Sequence, residues 1–417
     1  MGFPKGRRRI VLVVAALLVT AAVGATVYRV LAPAEVSTVA QAAYPAAPQP
    51  PVGVIGRLPA APLIVDGRLR VYAAHRQVYA DRPVDFRHRT TPYWSYRRWP
   101  AELVGVVASG TTVVSRWSDG RLVALDARTG AVAWRADGPR PTEQPNARRT
   151  GAAIVWSPPG LYLTRVADGR DVVVATGSGA ARGVALADGR ELWRTDLTSG
   201  CRTDVGTTPT GRLVGVDACS GPAAVEFRDA ATGAVTGRWR PPGAGDELVV
   251  TPVGCRTGRS ECPALRTAGP GDAAGRGWLL GPGDPLAAPA LNGRDVELAG
   301  DQAVTVVNGV LVGRSARTGE ELWRRPDLGS GRVIAVQPGR VHLLTDARDL
   351  VTIDPATGAE RSRFTLTVGQ DGTGYVPGAA YAADGYLVVE RLREPVDPDA
   401  DDQGYFLTSE PLVLAAT

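Results

Sequence analysis

LVALDARTGAVAWR, residues Leu122 to Arg135, reads as a strand, a tight turn and a second strand closed by Trp-Arg. Side chains along Leu122-Val123-Ala124-Leu125 alternate between two faces, as in a short strand packed against neighbouring sheets. Asp126 opens the turn, because a short acceptor side chain bonds the backbone N–H groups ahead of it, and Gly130 closes it where a positive φ is needed. The same pattern returns as VALADGRELWR at Val184 to Arg194, VEFRDAATGAVTGRWR at Val225 to Arg240, VGRSARTGEELWRR at Val312 to Arg325 and VTIDPATGAERSRF at Val351 to Phe364. Gly189, Asp229 with Gly233, Gly319, and Asp354 with Gly358 hold the equivalent turn positions. Five copies of one hairpin mark a repeat architecture.

Each copy also carries a large ring after its turn glycine. Trp134, Trp193 and Trp323 follow that glycine by four residues, Trp239 and Phe364 by six. A ring at a fixed place in every repeat predicts a wedge between adjacent sheets. Trp99, at the end of Tyr93-Trp94-Ser95-Tyr96-Arg97-Arg98-Trp99, is expected to play this part for a degenerate first repeat.

On these residues the chain resembles the PQQ-like β-propeller repeat family, which includes BamB-like assembly proteins and quinoprotein alcohol dehydrogenases. The resemblance covers the chain from about Ala61 to its end. It implies an all-β ring of four-stranded antiparallel blades, each docked on its neighbour by the closing tryptophan. The ring spacing then places blades near residues 61–99, 101–134, 151–193, 201–239, 246–290, 294–323, 332–364 and 375–417. That makes eight blades, or seven if the first and last share a sheet. Closure requires the two ends to meet, since an unpaired terminal blade would expose sheet edges.

Composition agrees with a chain of turns: 50 Gly and 33 Pro among 417 residues, of which 44% are hydrophobic. One long helix is expected, over residues 10–28, a 19-residue uncharged apolar run long enough to cross a bilayer at about 1.5 Å per residue. Lys5, Arg7, Arg8 and Arg9 precede it, so residues 1–9 read as a cytoplasmic basic tail and 10–28 as a transmembrane signal anchor. A cleaved signal peptide is the alternative. Residues 29–60, rich in Pro and Ala, read as a semi-rigid linker, and 61–417 as an extracytoplasmic propeller on a single-pass membrane protein.

The net charge of +5 does not point to nucleic acid. Lys5, Arg7, Arg8, Arg9 and Arg29 account for all of it, and the rest of the chain balances 42 bases against 42 acids. A single Lys against 46 Arg, with abundant Ala, Gly and Pro, suggests a GC-rich bacterial genome of the actinobacterial kind. Four cysteines in an exported chain favour disulfides. Cys201 and Cys219 flank one predicted hairpin, and Cys255 and Cys262 bracket the polar loop Arg256 to Glu261, so neighbours are expected to pair. A metal site is the rival reading, against which the spacings lack a CxxC pair and His75, His88 and His342 are scattered.

Two charged clusters invite functional readings. Arg68 through Trp99 holds eight Arg among Tyr72, Tyr79, Phe86, Tyr93, Trp94 and Tyr96, either a platform for an anionic or sugar ligand or a first blade with rings inward and guanidiniums in water. Asp397, Asp399 and Asp401 have the spacing of a calcium loop, but Asp402 stands where Gly is wanted and Thr408 where a bidentate Glu is wanted, so a solvated acidic loop is the default. Attraction between this loop and the first blade is a further expectation.

The resemblance admits PQQ with calcium as cofactor, yet the adjacent cysteines of the quinoproteins are missing and their metal-binding and catalytic residues match no position here. No phosphate loop, GxSxG or HExxH is present. The function expected is therefore a non-catalytic, protein-binding or assembly scaffold that has no cofactor and no metal, binds no nucleic acid, and is partnered by the membrane through its helix and by another envelope protein. A sensor or binder of a small molecule or wall glycan is the second reading, and a PQQ-dependent oxidoreductase the third.

Overall fold

In the computed structural model, which describes residues 12–24, 32, 34–142, 150–198, 200–219, 221–269, 271–272, 275–367, 374–395, 397 and 407–417, the repeats form eight antiparallel sheets. Each is one blade of a ring. The first strands of blades 1 to 8 are Pro62–Val65, Leu103–Ser109, Leu161–Arg165, Arg202–Thr207, Val249–Val253, Glu297–Ala299, Arg332–Gln337 and Val376–Ala383. These strands touch one another between blades 2–3, 3–4, 4–5, 6–7 and 7–8, so they line the axis. The Ile64 N–H donates to Tyr381 Oη at 3.2 Å and joins blade 1 to blade 8.

Turns from first to second strand therefore lie on one face of the ring, together with the turns from third to fourth strand that hold the repeated Asp and Gly. A bulge recurs where the third strand meets the fourth, between Val132 and Trp134 and opposite Gly183, Phe227, Gly313 and Thr352. An extra residue at that point re-aims the side chains that follow it. In blades 2, 3 and 6 this turns the tryptophan toward the next blade. Val107, Leu122 and Trp134 of blade 2 accordingly share one core with Leu161, Val173 and Leu186 of blade 3.

Eight separate sheets settle the blade number against seven. The ring closes through a strand from the N-terminal side: Gly53–Leu58 pairs with Leu407–Ala416 as the outer strand of blade 8. Ala34–Thr38 pairs with Trp94–Trp99 as a fifth strand of blade 1. The stretch from Ala34 to Leu58 is thus a strap held by two strands, which corrects the spacer expectation there. The short runs AEVST and GVIGRL each contain β-branched residues and no proline, a local signal that the proline content of the whole segment obscures.

The membrane expectation is also corrected. The described helix covers residues 12–24, about 20 Å at ~1.5 Å per residue against a hydrocarbon core of ~30 Å. Among the described residues no helix is long and apolar enough to cross a membrane, so the single-pass localisation is overturned. Lys5, Arg7, Arg8, Arg9 and Arg29 lie outside the described residues.

Candidate functional site

The repeated tryptophans and glycines work as pairs across blade junctions. Trp134 Nε1 donates to Leu186 O, Trp193 Nε1 to Ala230 O and Trp323 Nε1 to Pro355 O, each at 2.8 Å and each in the turn of the following blade. The ring lies on the turn glycine so closely that a Cβ on Gly189, Gly233 or Gly358 would come within 2.6–2.7 Å of it. The glycine thus supplies room as well as a positive φ. In blade 1 the part is taken by Trp94, whose Nε1 donates to Ala127 O at 2.7 Å while its ring covers Gly130. Trp99 is 36% exposed beneath the Arg76 guanidinium, so its expected docking role is corrected to Trp94.

The pairing lapses around blade 5. Trp239 meets Trp278 edge-on, 4.8 Å between centroids, and a Cβ on Gly319 would have nothing within 4 Å. Phe364 is half-buried in the apolar cluster shared by blades 7 and 8. Asp126, Asp229 and Asp354 bond N–H groups two residues ahead at 2.9 Å, as turn openers should.

Blade 5 carries a different feature. Between Val249–Val253 and Ala264–Ala268 the chain does not turn in two residues, as blades 2, 6, 7 and 8 do, but runs from Gly254 to Pro263 across the axis. Backbone bonds fix its path: Thr207 N–H to Ser260 O and Cys262 N–H to Thr207 O on blade 4, Leu163 N–H to Arg259 O on blade 3, and Gly258 N–H to Trp156 O. At the tip Gly258 has φ +76°, and a Cβ there would sit 2.5 Å from Leu63 Cδ1 of blade 1. Cys255 and Cys262 are disulfide-bonded and staple the base of this loop; Cys201 and Cys219 are bonded to each other in blade 4.

Charge anchors the loop as well. Arg259 Nη1 donates to Ser109 Oγ at 2.9 Å, and the guanidinium lies 3.5 Å from Asp171 and 3.3 Å from Glu261. Partial burial raises the Asp171 carboxyl, but hydrogen bonds from Arg165 and Ser109 and the charge of Arg259 outweigh it and hold the group below the usual carboxylate range. Burial pulls Arg259 down despite Glu261 and Asp171.

The loop divides the axis into two cavities. On the face of the first-to-second turns, a mouth of about 600 Å³ is lined by Leu63, Val65, Asp66, Arg256, Leu298, Asp301, Val336, Tyr381 and Asp384 among others. Behind the loop, between blades 2 to 5, lies a cavity of about 390 Å³ with Arg116, Tyr162, Arg202 and Asp204 in its wall. Arg116 is fully buried without a carboxylate and donates to the carbonyls of Pro139, Gly160 and Thr176 at 3.0, 2.5 and 2.6 Å; burial lowers it to about 10. Sequence reasoning missed the mouth, because its residues come from turns of seven blades and share no motif. The cysteine pair bracketing Arg256 to Glu261 was the one signal pointing to it.

The Arg68 to Trp99 cluster divides into core and rim. Tyr72, Tyr79, Tyr93, Trp94 and Tyr96 are buried, with Tyr72 stacked on Tyr79, and Arg70 is fully buried in a two-pronged pair with Asp81 at 2.7 and 2.8 Å. The remaining Arg70 N–H groups hold the carbonyls of Phe86 and His88, leaving the tip from Phe86 to Arg89 exposed. Asp399, Asp401 and Asp402 of the acidic run lie outside the described residues, and the described Glu394 follows the second strand of blade 8 on the face opposite this tip. His75 and His88 are exposed. His342 is buried between Gln337 and Thr352, and burial with the nearby Arg340 lowers it from 6.5 to about 3.

A family of PQQ repeats, described as outer membrane protein assembly factor BamB, matches residues 9–158, 62–253 and 307–407. None of the curated proteins compared matches in sequence. Among solved structures, BamB from Moraxella catarrhalis is 16% identical over 88% of this chain and 100% of its own, with a TM-score of 0.45. The C-terminal WD40 domain of Sif2 is 12% identical over 88% and 96%, at 0.47. Dihydro-heme d1 dehydrogenase NirN, solved in complex with DHE, is 15% identical over 79% and 77%, at 0.46.

Proposed function

The chain belongs to this BamB-like family of PQQ repeats, and from that premise we propose that it is a non-catalytic propeller that binds another protein through the mouth of its ring. The partner is an envelope protein, by the family's description as an assembly factor. One observation carries the reading: the axis, where a propeller has room for a cofactor, is crossed by the chain's own disulfide-closed loop, and what remains on that face is a mouth rimmed by turns. Turns held by a rigid ring are suited to gripping a macromolecule.

The residues present lend a PQQ and calcium pair no support: among the described residues no three His, Cys, Asp or Glu gather as a metal's ligands, and the loop from Gly254 to Pro263 crosses the axis. The cavity behind the loop favours, as a second reading, a small ligand that the ring senses.

The test uses the full chain with a photo-crosslinking residue in place of Pro338 at the rim. Stoichiometric crosslinking to one envelope protein is expected, with no change in tryptophan fluorescence or Tm on adding PQQ and calcium. Alcohol- or sugar-dependent dye reduction with PQQ would overturn the reading and make the chain a quinoprotein.

A further inference from the structure

We infer, building on the reading of the mouth as a protein-binding face, that it receives a peptide segment of the partner in which apolar side chains flank a basic one. The walls supply the apolar half: Leu63, Val65, Pro209, Leu298, Val336 and Pro338 line the cavity, whose volume of about 600 Å³ accommodates several side chains.

The charges supply the basic half. Four carboxylates line the mouth, Asp66, Glu261, Asp301 and Asp384, against two guanidiniums, Arg256 and Arg259. Both guanidiniums are turned toward Glu261, at 4.0 and 3.3 Å. Asp66 is already engaged by Tyr44 Oη and by Arg68, each at 3.2 Å. Asp301 and Asp384, on the turns of blades 6 and 8 that flank blade 7, make no ion pair among the described residues. Asp384 accepts only the Gly67 N–H, at 3.0 Å.

Glu261, on the floor of the mouth, is 6% exposed, and its Oε2 lies 3.3 Å from Arg259 Nε and 4.0 Å from Arg256, so its charge is met within the chain and the carboxylates of the mouth that have no ion pair among the described residues are Asp301 and Asp384. The electrostatics of Asp384 agree: desolvation and the neighbouring Asp66 raise its carboxyl above the ordinary range, against the pull of the Gly67 N–H and the more distant charge of Arg256. An incoming Lys or Arg relieves that tension at the rim.

The experiment titrates the full chain with two fluorescein-labelled peptides, one alternating Leu and Pro around two Arg, the other identical but with Glu for Arg, read by anisotropy at low and high salt. The basic peptide is expected to bind at least about tenfold tighter, about 1.4 kcal/mol. The double variant Asp301→Asn with Asp384→Asn should remove that preference and its salt dependence. Equal affinity for the two peptides, or an unchanged preference in the double variant, would overturn the inference. Crosslinking from position 338 that persists in the double variant alongside such a result keeps the protein-binding reading and removes only the charge chemistry. A concentration-dependent rise in mass without peptide, abolished by the double variant, would put a second copy of the chain in the mouth and equally overturn the inference.

Discussion

Between blades 3 and 4, the Trp193 ring reaches across the gap, bonds Ala230 O and presses on Gly233; between blades 4 and 5, Trp239 finds no such turn and leans on Trp278 instead. The outer strand of blade 5 is only Leu286–Ala287, where blade 4 has Val235–Trp239. The first junction is held from outside by a ring and a carbonyl. The second is held from inside, by a stapled loop that leaves blade 5 and bonds blades 3 and 4 at the axis. A ring of sheets needs each junction closed, but not by the same device. Blade 5, freed from the repeated lock, is the blade that shapes the mouth.

The sharpest way to break this contrast is to remove one ring from each junction. Trp193 is 7% exposed and makes a buried hydrogen bond, so Trp193→Ala should cost about 3–5 kcal/mol, the usual range for a large aromatic truncated in a core. Trp239 is half-buried and among the described residues its indole N–H meets no carbonyl of the next blade, so Trp239→Ala should cost clearly less. Urea midpoints of the two variants measure the difference. Equal losses would mean that the ring packs blade 5 as firmly as the others.

That contrast also explains what could be read in advance. The lock joins a ring to the turn glycine of the next blade, but every regular blade carries both halves close together, with its own turn glycine and ring four residues apart, and so the blades from Leu122 to Phe364 and their number were legible from spacing. Blade 1 misled because it has no turn glycine to set the register, and Trp99 stood where Trp94 belonged. The strap was hidden because Ala34–Thr38 and Gly53–Leu58 pair with strands far along the chain, and a strand that short has no periodicity of its own. The mouth was illegible for the same reason. Its walls are short runs from seven blades that share no motif, brought together by ring closure alone.

At the inner junction, the staple can be opened by Cys255→Ser with Cys262→Ser. The chain-entropy model gives about 2.5 kcal/mol for so short a loop and about 3 kcal/mol for the one closed by Cys201 and Cys219. The two double variants should therefore lose similar stability yet differ in where they loosen. Trypsin should cut at Arg256 or Arg259 only after loss of Cys255–Cys262, because these residues lie within the stapled loop, and mass mapping would show it. Cleavage at neither site would mean that the backbone bonds to blades 3 and 4 hold the loop unaided.

Acid probes a regular blade instead. His342 in blade 7 is fully buried, bonded to Gln337 and Thr352, and its pKa lies at about 3 against 6.5 when exposed. Folding thus disfavours the protonated form. Stability from this group is complete above about pH 6.5 and declines by about 1.4 kcal/mol per unit as pH falls toward 3, or about 2 kcal/mol by pH 5. Proton uptake on unfolding, followed by calorimetry between pH 7 and 5, should fall when His342 is replaced by Gln. An unchanged uptake would assign the acid sensitivity elsewhere.

The smallest effect is expected at the strap, where the contrast between inner and outer fastening is finest. Glu35 on Ala34–Thr38 lies 3.1 Å from Arg98 of blade 1 and 2.9 Å from Arg135 of blade 2, so one carboxylate ties the fifth strand to two blades. Desolvation raises its pKa, but the hydrogen bond from Tyr96 and the hydrogen bond and charge of Arg135, with Arg98, prevail and hold it below the ordinary value. A depressed carboxylate contributes above its unfolded pKa of about 4.3 and ceases to do so as pH falls through its lower folded value. Because the pairs are partly exposed, Glu35→Gln should cost less than about 1 kcal/mol. Global unfolding will scarcely register that, whereas hydrogen exchange will: amides bonded between Ala34–Thr38 and Trp94–Trp99 should exchange faster in the variant, with those of blades 3 and 4 unchanged. Uniform acceleration around the ring would instead make the strap part of the closure that Gly53–Leu58 performs.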